Sequence, residues 1–163
     1  MSPTVRRLRA DEHALLRDVR LRALRDTPLA FGSTLAREAA YEPEQWQRWA
    51  VDAARGDRQA IFIVEPAAGL ANGVLDADEP ALAHLYAMWV APQARGTGAG
   101  RALVEAVVAW AAERGAARLT TSVTEGNAAG AALYAAAGFA DTGRREPLGH
   151  SDAVVAVLER VLR

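Results

Sequence analysis

Leu82 to Val104 reads LAHLYAMWVAPQARGTGAGRALV, and this stretch decides how the rest of the chain is read. Its first part, Leu82 to Val90, is apolar on both alternating faces, as a strand covered on both sides requires. It ends at Ala91-Pro92. A turn with glycines at 96, 98 and 100 follows, and then Leu103, Val107 and Trp110 fall on one helical stripe with Val104, Val108 and Ala111 beside it. Strand, glycine turn and helix in that order aim free backbone N–H groups and the positive end of a helix dipole at one point. Phosphate and pyrophosphate bind at such junctions. The glycines permit the dihedrals of a tight nest and let an anion approach the main chain.

Two phosphate-binding motifs do not fit. A Walker loop closes on Gly-Lys-Ser/Thr, and all 19 basic residues of this chain are arginine. The dinucleotide fingerprint needs a third glycine where Arg101 stands. What fits is Gln93-Ala94-Arg95-Gly96-Thr97-Gly98, the pattern Q/R-x-x-G-x-G/A, continued by Ala99-Gly100. Downstream, Asn127, Leu133, Tyr134, Gly138 and Phe139 spell N-x(5)-L-Y-x(3)-G-F. Asn127 and Tyr134 are two helical turns apart and so share one side of a helix. On these residues the chain resembles the GNAT superfamily of acetyl-CoA-dependent N-acetyltransferases. Leu21 to Ala39, LRALRDTPLAFGSTLAREA, also looks like the first two helices of bacterial members.

The resemblance implies an α/β (mixed α+β) fold over residues 1–163 as one domain. Its centre would be a mixed sheet of about seven strands flanked by about four helices. It implies acetyl-CoA as cosubstrate and an amine as acceptor, joined by direct attack in a ternary complex. Main-chain amides across Arg95, Gly96, Thr97, Gly98, Ala99, Gly100 and Arg101 would hold the pyrophosphate. The backbone at Met88, Trp89 and Val90 would pair with the pantetheine amides, one N–H stabilising the oxyanion. Asn127 would hydrogen-bond the pantetheine arm, and Tyr134 would protonate the departing thiolate. A phenol with a pKa near ~10 can do so and recover its proton from solvent. A helix-capping asparagine and a half-buried core tyrosine are the structural alternatives. Gly130 replaces the alanine common in the family and weakens its helix by up to about 1 kcal/mol.

The general base is less legible. The acceptor amine is mostly protonated at neutral pH and must lose a proton as it attacks. Ser122 stands where some protein-acetylating members carry Glu. The candidates are His84, on the face of Tyr86 and Met88 by strand alternation, Glu125, and deprotonation through ordered water. A hydrogen-bonded core role is the alternative for His84. Tyr86, Tyr41 and Trp89 can line an acceptor pocket or fill the core. His13 and His150 fall in surface segments.

Formal charge is −1, so no global field points to nucleic acid or an acidic membrane. The absence of cysteine excludes disulfides and thiolate chemistry, and three scattered histidines give no metal-ligand spacing. The arginines of the first helix, interleaved with acids and leucines, read as a solvated face. Nothing at the N-terminus reads as a signal peptide and no apolar run reaches the ~18 residues of a membrane span, so a cytoplasmic enzyme is expected. Family analogy extends to a homodimer. A non-catalytic acyl-CoA-binding domain that keeps only the glycine turn is the rival reading.

The remaining elements follow from periodicity. Strands are expected at Val5 to Leu8, Ile61 to Glu65, Gly73 to Asp76, Leu119 to Val123, Phe139 to Arg144 and Ala153 to Val161, the last two antiparallel. Helices are expected from a cap at Asp11 to Asp26, over Leu35 to Ala54, Gly98 to Arg114 and Asn127 to Ala137. Leu29 to Thr34 reads as an ordered loop, and Glu38, Glu42 and Glu44 as exposed or facing a cleft.

Overall fold

The computed structural model describes residues 2–162. In chain order the elements are β1 (Val5–Arg7), α1 (His13–Asp26), α2 (Leu35–Ala39), α3 (Pro43–Arg55), β2 (Gln59–Val64) and β3 (Gly69–Leu75). Then come β4 (Leu82–Val90), α4 (Ala99–Glu113), β5 (Arg118–Thr124), α5 (Ala128–Ala136), β6 (Ala140–Pro147) and β7 (Val154–Val161). The strands form one sheet of order β1-β2-β3-β4-β5-β7-β6. Every neighbouring pair is antiparallel except β4 and β5. The expected mixed sheet with helices on both faces is therefore what the chain forms.

β2 shows how the layers are built. Ile61 and Ile63 face one way, into a core with Leu16, Leu24 and Trp46 of α1 and α3. Ala60, Phe62 and Val64 face the other way, onto Leu103, Val107 and Trp110 of α4. Both faces are buried, which is why the segment is apolar without alternation. Tyr134 and Phe139 join the α4 side, packed edge to face at 5.5 Å.

Four local expectations need correction. Asp11 does not cap α1. The N-cap position is Glu12, whose carboxylate takes bonds from the Arg6 guanidinium and the Arg9 N–H. The helix read over Leu35 to Ala54 is two, giving five α-helices among the described residues. Pro43 fits the first turn of α3 but not a helix interior, and Gln45 accepts the Glu42 N–H at 2.9 Å. β3 begins at Gly69, so the β2–β3 turn is tighter than expected. Finally, β4 carries a bulge. Leu70 pairs with Trp89 and Asn72 with Tyr86, so three steps on β4 oppose two on β3, and Ala87 takes φ 58°. The extra residue reverses side-chain alternation. Met88 and Val90 pack toward α4, whereas Ala87 and Trp89 pack toward α1 and α3.

β4 and β5 pair only from Leu82/Arg118 to His84/Thr120. Beyond that point they separate, and the cleft described next fills the gap.

Candidate active site

Two cavities meet at the parting of β4 and β5. One, of about 470 Å³, is lined by Met88, Trp89, Val90, Arg95, Gly96, Gly98, Ala99, Gly100, Arg101, Asn127 and Tyr134, with Ser122 among others. The other, of about 540 Å³, runs between the 27–34 segment, β4 and the β6–β7 hairpin. Ala30, Met88, Ser122 and Tyr134 line both. The two therefore communicate beside the Tyr134 phenol.

The glycine turn is open main chain. Gly96 and Gly98 have φ of 77° and 90°, a region costly for other residues, and a Cβ on either would meet nothing within 4 Å. Gly98 is the N-cap of α4, and the first intrahelical bond is Ala102 N–H to Gly98 C=O at 3.0 Å. The N–H groups of Ala99, Gly100 and Arg101 thus have no intrahelical acceptor. Nearby side chains are turned aside. Thr97 Oγ1 donates back to Ala94 C=O at 2.6 Å, and Thr97 does not line the cavity. The Arg95 guanidinium donates to Asp26 at 2.5 Å and to Val90 C=O at 3.0 Å. Arg101 donates to Ala136 C=O at 2.8 Å, at the end of α5. A cradle of amides with its own side chains folded away fits a diphosphate.

On the strand side, Ala91 N–H donates to Ala68 C=O at 2.7 Å, toward β3. Strand alternation then points the Val90 N–H the opposite way, into the gap β5 has left. Trp89 lines the first cavity but packs into the core with α1 and α3. The residue is 5% exposed, its indole donates to Asp26 at 3.0 Å, and Arg22 lies over the ring at 5.4 Å. The indole and then Arg95 hold the Asp26 carboxyl below its ordinary range.

Asn127 is indeed an N-cap. Its Oδ1 accepts the Gly130 N–H at 3.0 Å, its Nδ2 is the other end of the same amide, and the residue lines the cavity. A Cβ at Gly130 would lie 2.7 Å from that Nδ2, so the glycine makes room for the capping side chain. Tyr134 is 6% exposed. Burial pushes its phenol up to about 12, with the Thr121 hydroxyl pulling partly back, so it is protonated at neutral pH.

His84 does not reach the cleft. Its Nδ1 lies 2.7 Å from Thr120 Oγ1 and its Nε2 2.8 Å from Asp76 Oδ2, so both ring nitrogens are engaged. It stacks on Tyr86 at 5.4 Å, and Tyr86 lines the second cavity. The bulge puts Met88 on the other face from this pair. Glu125 pairs with Arg145 at 2.9 Å and lines a separate surface groove. Tyr41 packs against Trp46 at 5.5 Å, away from both cavities. His150 is more than a solvated side chain, since its Nε2 lies 2.6 Å from Phe31 C=O. With Thr124 Oγ1 donating to Leu29 C=O at 2.5 Å, it ties the 27–34 segment across the cleft.

Sequence reasoning missed several residues that line or back the second cavity. Glu38 is not exposed. It is 3% accessible and takes two parallel bonds, at 2.8 and 2.9 Å, from Arg20, which is 7% accessible and not part of a solvated face. The signal was there: Arg20 falls on the stripe of Leu16, Ala23 and Leu24. Asn72, polar inside an apolar strand, was a second signal. Glu146, on a strand of mostly exposed residues, had none.

Among the described residues, no group of acidic, histidine or cysteine side chains could hold a metal, and no helix is long and apolar enough to cross a membrane. The model of the acetyltransferase (GNAT) family matches residues 21–139. A peptidyl-lysine N-acetyltransferase of Escherichia coli, YjaB, is 41% identical over 63 residues, which is 39% of this chain and only 40% of that protein. A GNAT-family acetyltransferase structure from Streptococcus pneumoniae superposes with a TM-score of 0.84 at 20% identity, covering 99% of this chain and 100% of the other. The yncA protein of Salmonella typhimurium, solved with its cofactor acetyl-CoA, gives 0.80 at 17% identity over 100% of this chain and 95% of its own. These last two show the shared fold. With a family match across most of its length, a seven-stranded sheet parted at β4 and β5, and an amide cradle at the start of α4, the chain belongs to the GNAT family of acetyl-CoA-dependent acetyltransferases.

Proposed function

We propose that this protein transfers the acetyl group of acetyl-CoA to a primary amine by direct attack in a ternary complex, with Tyr134 as the general acid. The observation that carries the reading is the junction of the two cavities at Tyr134, Met88, Ser122 and Ala30. One cavity contains the amide cradle, and the other is free for an acceptor. Acetyl-CoA supplies the activated acetyl thioester. Amides from Gly96 to Arg101 hold its diphosphate, and the Val90 N–H stabilises negative charge developing on the carbonyl oxygen. The amine nitrogen forms the new bond to the acetyl carbon while the bond to sulfur breaks. Tyr134 gives its proton to the sulfur and recovers one from solvent. The proton lost by the amine leaves through water, since His84 has both nitrogens engaged and Glu125 is paired elsewhere.

Thiol release is the test, run with acetyl-CoA and a panel of amines that includes the ε-amine of a lysine peptide, the acceptor type named for the Escherichia coli relative. Turnover with intersecting initial-velocity lines is expected. Tyr134→Phe should lower kcat by ~10²-fold or more while the KM for acetyl-CoA stays within about threefold. Tight coenzyme A binding with no turnover for any amine, and no effect of Tyr134→Phe, would establish the rival reading of a non-catalytic acyl-CoA-binding domain.

A further inference from the structure

We propose that the second cavity selects amines that carry a neutral amide, taking the amide carbonyl on Arg20 and the amide N–H on Asn72. Five buried side-chain polar atoms lack a partner among the described residues, and three of them belong to residues lining this one cavity: Arg20 Nη1, Ser33 Oγ and Asn72 Oδ1. Buried polar atoms are rarely left unsatisfied, because each such omission is expensive. In the free protein water can serve them, and a ligand that displaces the water must reproduce its bonds.

The hydrogen-bond logic defines what is missing. Arg20 spends Nε and Nη2 on Glu38, leaving Nη1 as a donor with the Phe31 ring 4.9 Å from its guanidinium carbon. Asn72 is oriented by a relay. The Trp49 indole can only donate, and it does so to Gln59 Oε1 at 3.2 Å. Gln59 thereby presents its oxygen to Asn72 as well, at 3.4 Å, and Asn72 must answer with its NH2 group. Its carbonyl oxygen is left as an acceptor. The lining of this cavity thus offers a donor and an acceptor, the complement of a carbonyl and an N–H.

Charge decides between an amide and a carboxylate. Glu38 already cancels the charge of Arg20 by two parallel bonds, and Glu146 lines the same cavity. An incoming carboxylate would be stripped of water opposite no net positive charge, which is unfavourable. A neutral amide meets no such penalty. The same chemistry occurs in a free amino-acid amide and at a peptide N-terminus.

This inference rests on the acetyl-transfer reading for the reacting group but not for recognition, and the experiment separates them. Matched acceptors are compared across small, apolar, aromatic and hydroxyl side chains: amino-acid amide, free amino acid, and the amine with a methyl in place of the carbonyl group. kcat/KM should favour the amide by ~10-fold or more over both others, the worth of a hydrogen bond to a charged donor. A tripeptide with the same first residue tells the peptide source from the small molecule. The preference should collapse in Asn72→Ala and in the double variant Arg20→Met with Glu38→Leu, the pair being removed together so that no lone charge is buried. Equal use of the three acceptors, or a preference for the carboxylate, overturns the inference. Should no amine be acetylated, the same acceptors are titrated calorimetrically into the protein with coenzyme A. Amide-selective binding that Asn72→Ala abolishes would then uphold this inference and sink the catalytic one, and unselective or absent binding would sink both.

Discussion

Tyr134 is the residue whose environment bears most directly on the proposed reaction. Its phenol is buried and held up to about 12, so it stays protonated wherever an enzyme of this kind operates. The alkaline limb of kcat should therefore show no fall attributable to this group below about pH 11, read from a pH–rate profile. The same shift bears on stability. The folded pKa lies above the ordinary value of 10.0, so the stabilising contribution is full below pH 10 and drains away as pH climbs toward about 12. Arg20 makes the opposite kind of prediction. Arg20→Met leaves Glu38 charged and buried without its partner and should destabilise the protein by ~3–5 kcal/mol, whereas Arg20→Met with Glu38→Leu should recover most of that loss in urea unfolding.

Elements set where these residues meet. The turn into α4 depends on a left-handed N-cap, with Gly98 at φ 90° and ψ 2°. Gly98→Ala should introduce ~1–2 kcal/mol of strain and weaken coenzyme A binding by ~10-fold in calorimetric titration, since the loop must shift to relieve it. The bulge in β4 is the mirror case, for there a non-glycine residue, Ala87, already holds φ 58°. Glycine in a strand ordinarily destabilises by about 0.5–1 kcal/mol relative to alanine. At this position Ala87→Gly should instead raise stability by ~0.5–1 kcal/mol, a gain of about 2–3 °C in melting temperature. A drop of that size would show that the bulge carries no strain.

For the molecule as a whole, ion pairs on several surfaces set the response to acid. Arg6 above all holds Glu12 at about 2, His84 holds Asp76 at about 2, and Arg145 holds Asp141 at about 2. These folded pKa values lie below the ordinary ones, so the contributions are present above about pH 4.5 and are lost as pH falls through the interval to 2. Circular dichroism should locate acid unfolding in that window, and added salt should diminish the pH dependence, most of all at the exposed Arg145–Asp141 pair, the other two being half-buried. Much of the site was legible before any fold was in view. The glycine turn and the Asn127–Tyr134 spacing depend on local backbone geometry, which a few consecutive residues dictate. Strand alternation failed at Met88 because a single bulged residue reverses it, and His84 was credited with a reach that Asp76 and Thr120 deny it. From its own residues, the chain determined a glycine turn of open amides, a capped helix with a phenol on its inner side, and the order of strands and helices that joins them. Only the tertiary structure decided the second cavity. Arg20 comes from α1, Asn72 from β3 and Glu146 from β6, and no local pattern relates residues that meet only when the sheet parts between β4 and β5.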